Sequence, residues 1–230
     1  MRTPVTVFLF TALFLLLVAP ALAHGCAAAT APIVKLEPLS GSANVDNSKS
    51  QRELQSLSGV GQSSHSTRIP VALGLTLTQV MTTSRLTAEI ASGGWTGPKC
   101  ATLQSLNVGF GFSPHMIYIP YEFAPNTCAY NAIYSHEIQH VNTDQALLKS
   151  HLPAIKSKIM AGVAALPPIT GNDDAAMQKT MKDQLERLLT DIQTDFTRVR
   201  QLEQAKVDNP NEYARVGNSC GGIIKQIGNH

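Results

Sequence analysis

The chain has 230 residues, with 18 Lys and Arg against 16 Asp and Glu, a formal charge of +2 at pH 7 and 43% hydrophobic residues. Such a near-even charge balance leaves no electrostatic footprint for nucleic acid or an anionic membrane surface, and neither is expected as a partner. The length suits one well-cored domain once any leader is removed.

A leader is expected. Arg2 gives a positive start, Val5 to Ala19 is almost wholly apolar, and Ala21-Leu22-Ala23 has the small-x-small form of a cleavage site. Residues 1–23 therefore read as a secretory signal peptide. The expected location is exported, periplasmic or extracellular, with no stable membrane anchor after cleavage. A lipoprotein leader is the alternative, since Cys26 follows Gly25, but His24 fits a lipobox poorly. About 205 residues then remain with a charge near +1.

The four cysteines, Cys26, Cys100, Cys128 and Cys220, lack C-x-x-C spacing. In an exported chain that favours disulfides over a cysteine metal site. Three pairings are open, with Cys100–Cys128 preferred.

Residues 24–67 are rich in Ser, Gly, Ala, Asn and Gln and poor in large apolar side chains. They predict a flexible N-terminal arm without chemistry, with a short helix around Gln51 to Leu57. A folded domain is expected over 68–230. The alternation in Val71 to Thr78, and more weakly in Leu86 to Ile90, predicts strands. Two further runs, 106–112 and 115–121, flank Ser113-Pro114 and suggest a hairpin. Pro120 cannot donate to a ladder, which puts the last strand at a sheet edge. Such an edge either holds an extended peptide by strand addition or is an ordinary edge.

Asn126-Thr127 is a capping signal for a helix from about Cys128. That helix carries His136-Glu137-Ile138-Gln139-His140. Residues four apart share a helix face, so both imidazoles can reach one cation, while Glu137 can act on a water beside it. Ala129, Ile133, Asp144 and Leu147 fall on the same face, which turns the histidines toward the core. The alternative is a pair of solvated or hydrogen-bonded helix histidines. Pro153 predicts a kink or break near Leu152. Past the turn at Pro167-Pro168, a second helix should run from Asp173-Asp174 to about Val207. Its stripe is Met177, Met181, Leu185, Leu188, Ile192, Phe196 and Val199.

The pair implies zinc and needs a third ligand. Asp144 lies too far along the axis to share one ion with His136 and reads as a supporting partner or an exposed helix acid. Projecting the second stripe at 3.6 residues per turn puts Glu203 on its apolar face. An equal-rise hairpin about the proline turn sets Phe196 to Glu203 level with the pentad. Glu203 is therefore the expected ligand, with Asp195 and Asp208 as alternatives. The fold class implied is α+β: a small antiparallel sheet with an edge strand, packed on a long two-helix hairpin.

His136-Glu137-Ile138-Gln139-His140-Val141-Asn142-Thr143-Asp144 resembles the active-site helix of thermolysin-like zincin metallopeptidases. The likeness covers about residues 105–145. Met160 stands where the thermolysin pattern has a glutamate ligand. Thr143 and Ala146 stand where metzincins need glycine and a third histidine. The chain looks closer to small secreted bacterial proteins described as zinc-dependent proteases. The resemblance implies peptide or protein substrates, zinc on His136, His140 and a carboxylate, and Glu137 as general base. Tyr213, Tyr134 and His151 are candidate oxyanion donors. The alternative is a non-catalytic exported metal-binding or envelope interaction protein with a degenerate zincin-like helix hairpin.

Overall fold

The computed structural model describes residues 31–58, 73–92 and 97–227. The expected signal peptide lies outside the described residues. So do Val71 and Ala72, at the start of one expected strand.

The fold is α+β, built around strand β5 (Lys99–Phe112). β4 (Val80–Ala91) pairs with it antiparallel along one side. The other side is shared by β1 (Ile33–Leu39), parallel, and β7 (Ile169–Gly171), antiparallel. Within β5, Ala101 and Leu103 face the core, and then Leu106, Val108, Phe110 and Phe112. The switch from odd to even positions is made by a bulge opposite Thr87 and Ala88. One extra residue returns the apolar set to the buried face, where an unbulged strand would send half of it to solvent.

Two long helices cover that face. α2 (Cys128–Ala164) starts at Thr127, whose side chain caps the Tyr130 amide. α3 (Asp174–Val207) starts at Asp173, whose carboxylate accepts from Ala175 and Ala176. Both starts and the end of α3 match the sequence expectation. The main core joins β5 to Leu147, Leu148, Ile155, Ile159 and Val163 of α2 and to Met177, Met181, Leu185, Leu189, Ile192 and Phe196 of α3.

A smaller sheet, in the order β2 (Ala43–Asp46), β6 (His115–Tyr118), β3 (Leu75–Leu77), lies against the N-terminal half of α2. A second core forms there from Ile117, Ile119, Phe123, Ala129, Ile133 and Val141. It is completed by Val216 of α4 (Pro210–Asn218) and Ile224 of α5 (Ile223–Ile227). The C-terminal segment is also tied to the start of α2 by a Cys128–Cys220 disulfide. Among the described residues no helix is long and apolar enough to cross a membrane.

Several expectations are corrected. The stretch read as a flexible arm supplies β1 and β2 beside the expected short helix α1 (Gln51–Leu57), so the folded part begins well before residue 68. The alternating Val34 and Leu36 pack on the main core, and the ladder to β5 satisfies the β1 backbone. The sheets are mixed, because β1 and β2 each run parallel to their partners. Ser113-Pro114 is no hairpin turn: it carries the chain from one sheet to the other. β6 is the centre of its sheet and not an edge, since it ends at Tyr118 before Pro120; β3 is an edge. α2 continues through Pro153. Leu148 and Ile155, on either side of it, enter one core, which outweighs one missing helix hydrogen bond. The preferred Cys100–Cys128 pairing is replaced by Cys128–Cys220, and Cys100 is itself disulfide-bonded.

Candidate metal centre

α2 delivers the pentad where the two cores meet. His136 and Glu137 are buried, and His140 is half-buried. The Nε2 atoms of the two histidines face each other at 3.3 Å. A third donor joins them from the end of α3: Asp208, its C-terminal cap, places Oδ1 3.4 Å from His136 Nε2 and 3.3 Å from His140 Nε2.

The three donors thus form a nearly equilateral triangle. A tetrahedral ion with bonds of roughly 2.0–2.1 Å requires donor atoms about 3.3–3.4 Å apart, which this triangle meets. It would also leave one open position. His136, His140 and Asp208 can therefore hold a metal ion.

The expected third ligand, Glu203, is not in this group: it is paired with Lys206 at 2.6 Å on the helix surface. Asp195 is exposed and bridges to Lys158. Asp208, one of the two alternatives, is the C-terminal cap of α3, and its carboxylate turns toward both imidazoles. The projection failed because the line of α3 that faces α2 advances by fours from Ile192, through Phe196 to Arg200, Gln204 and Asp208. Each such step drifts about 40° around the helix, leaving Glu203 outside. That four-residue series was the readable signal. The helix register is off as well: His136 faces Asp208, His140 faces Gln204 and Asp144 faces Arg200. The connection holds β7, which is drawn to β5, so α2 and α3 do not meet as an equal-rise hairpin.

The site's field favours positive charge. Burial opposes protonation of His136, but hydrogen bonding to Asp208 and the nearby Glu137 carboxylate raise its pKa. Burial likewise opposes charge on His140, and Asp208 and Gln204 overcome it. Asp208 is partly buried, yet its contacts with both imidazoles hold it far below the usual carboxylate range. Glu137 moves the other way: burial raises its pKa, partly offset by a 2.8 Å hydrogen bond donated by Thr76 Oγ1 to its Oε2. β3 lies so close here that a Cβ on Gly74 would come within 2.5 Å of Glu137 Oε1. Only glycine fits that approach.

Around the donors stands a ring of partners. His140 Nδ1 meets Gln204 Oε1, and His136 Nδ1 lies 3.4 Å from Glu212 Oε1. Glu212 is held at about 2 by its Arg215 hydrogen bonds, which outweigh its burial. Asp144, expected as a supporting partner or an exposed acid, is fully buried between Arg200, Gln204 and His115. Of the candidate oxyanion donors, Tyr213 reaches the site, with its hydroxyl 3.1 Å from Asp208 Oδ1. Tyr134 stacks on Tyr130, and His151 lies against Phe196, so neither joins it. Leu73 to Thr76, His136, Glu137, His140, Arg200, Gln204, Asp208 and Tyr213 line one cavity of about 330 Å³.

No protein-family model, curated protein or solved structure matches the chain.

Proposed function

We propose that the protein is an exported zinc-dependent hydrolase that cleaves peptide bonds, with zinc on His136, His140 and Asp208. The observation that carries this reading is a buried, non-ligating carboxylate, Glu137, set beside a three-donor triangle of tetrahedral dimensions in one cavity. A purely structural zinc site takes four protein ligands and needs no base. The resemblance of the pentad to zincin metallopeptidases supports the same chemistry, and a disulfide suits an oxidising compartment.

Zinc bound here would supply Lewis acidity, easing deprotonation of a water and polarising a substrate carbonyl. Glu137 takes the water proton and later passes it to the leaving amine. Its burial, which raises its pKa, brings its proton affinity closer to that task. Thr76 holds one oxygen of the carboxylate, and Gly74 gives the other room. Tyr213, whose pKa is raised by burial and by the Asp208 carboxylate, keeps its proton and can donate to an oxyanion.

The test is Glu137→Gln beside wild type, with zinc content and hydrolysis of an unstructured protein substrate measured for both. Equal zinc, with hydrolysis reduced about 10²–10⁴-fold in the variant, is the expected result. Zinc without hydrolysis in wild type would favour a non-catalytic metal-binding protein, and no zinc in wild type would end both readings.

A further inference from the structure

We infer that Gln204 is the positioning residue of the metal centre: it dictates which nitrogen of His140 is free to bind the ion. Asp144, clamped by Arg200, dictates the orientation of Gln204 in turn. The inference rests on the metal reading above.

An imidazole that binds a metal through Nε2 must carry its proton on Nδ1. Neutral imidazole in water does not hold one tautomer, so a neighbour has to choose. At His140 that neighbour is Gln204, a side chain with an acceptor end and a donor end. Which end faces His140 follows from what lies at the other. Gln204 Nε2 stands 2.6 Å from Asp144 Oδ1 and 3.0 Å from the His140 carbonyl oxygen.

Both of those groups only accept. Asp144 is kept ionised by the Arg200 fork, with Nε 2.7 Å from Oδ1 and Nη2 2.9 Å from Oδ2. A reversed amide would set oxygen against oxygen at two contacts. Gln204 therefore spends both N–H groups there, leaving Oε1 toward His140 Nδ1. That ring nitrogen must donate. The Nε2 lone pair is then left facing Asp208 Oδ1 and His136 Nε2.

The order arises along α2 and α3 together. His140 and Asp144 are one turn apart on α2, and Arg200 and Gln204 are one turn apart on α3. His115 of β6 adds a contact to Asp144 at 3.0 Å. His136 is held more loosely: its Nδ1 partner, Glu212, is 3.4 Å away and is shared with Gln139 and Arg215.

The alternative role is plain interhelical adhesion, and the experiment separates the two. In ¹⁵N-labelled, metal-free protein, at a pH where the imidazoles are neutral, wild type should show His140 protonated at Nδ1 alone. Gln204→Leu should show a mixture of tautomers. Gln204→Met, which keeps the length of glutamine and offers no oxygen acceptor at Nδ1, should show the same mixture and covers the case in which the leucine variant fails to fold. With a competing chelator, zinc affinity in Gln204→Leu should fall about 10- to 100-fold relative to wild type. A single Nδ1–H tautomer in Gln204→Leu, with zinc affinity within twofold of wild type, would overturn the inference. So would a single Nδ1–H tautomer in a folded Gln204→Met. Because the tautomer is read without metal, a wild type that binds no zinc would sink the metal reading while the imidazole spectrum still decides the role of Gln204.

Discussion

The seam of α3 has two halves with opposite chemistry. From Met177 to Phe196 its buried residues are all apolar, Met177, Met181, Leu185, Leu189, Ile192 and Phe196. From Arg200 to Asp208 a four-residue advance presents a cation, an amide and a carboxylate. Phe112 touches both halves, with its ring 5.9 Å from that of Phe196 and 5.6 Å from the Arg200 guanidinium. In the apolar half any side chain of suitable volume serves, because the driving force is area removed from water. In the polar half every atom needs a specific partner, and a wrong one costs more than it contributes. The apolar half thus supplies stability, while the polar half sets the direction of each donor. Substitutions in the two halves should therefore fail in different ways.

The largest effect belongs to the apolar half. Phe196→Ala should lower stability by about 3–5 kcal/mol in urea unfolding, since Phe196 meets Phe110 edge-on at 5.3 Å in a close-packed core. Zinc affinity of the folded fraction should change little. Arg200→Met comes next, at roughly 3 kcal/mol, because it strands the buried Asp144 carboxylate without its fork. Unlike Phe196→Ala it should also weaken zinc binding in a competition assay. Equal zinc affinity for the two variants would erase the distinction between the halves.

Metal acts on the polar half together with the α2 histidines that face it, and pH acts on the same groups. Zinc at about 100 times its dissociation constant should add roughly 2.7 kcal/mol of stability, and a chelator should remove it. The metal-free protein should show two opposed slopes. The pKa values of His136 and His140 are raised above 6.5, so their contribution is fully present below that value and is lost as pH rises through the folded values. The pKa of Asp208 is lowered from 3.8, so its contribution is present above that value and is lost as pH falls toward the folded value. Metal-free stability should therefore peak between about pH 4 and 6.5. Zinc should add most at higher pH, where protons no longer compete for the imidazoles. Thermal melts across pH, with and without chelator, check both slopes. A zinc increment that does not change with pH would argue against imidazole ligands.

The two halves also differed in how readily they could be read. The bounds of α2 and α3, the inward histidines and most of the apolar stripe follow from capping residues and periodicity, which act locally. The stripe departs at Leu188 and Val199, which are partly buried, and Leu189 is the buried residue it omits. The sequence ranks Asp208 only as an alternative to Glu203, because an average helical pitch does not describe a seam that drifts as two helices cross. The partners of Asp144 come from β6 and α3, and nothing near Asp144 in the chain announces them. β1 was hidden by the Ser- and Gly-rich residues around it. Its parallel pairing with β5 joins segments about 70 residues apart and leaves no turn signal to find.

The smallest effect is the sharpest check on the polar half. Glu203 lies one residue before Gln204, and an ideal helix projection places it on the apolar face. In the fold it is partly exposed and pairs with Lys206, a contact of the kind that contributes little. Glu203→Ala should therefore change stability by no more than about 0.5 kcal/mol and leave zinc affinity unaltered. Asp208→Ala should abolish tight zinc binding, because it removes one corner of the donor triangle. The comparison isolates register from composition, since both variants delete one carboxylate near the end of the same helix. Loss of zinc in Glu203→Ala with retention in Asp208→Ala would mean that the seam follows the ideal pitch after all. His140 would then face Glu203, and Gln204 would have no role at the metal.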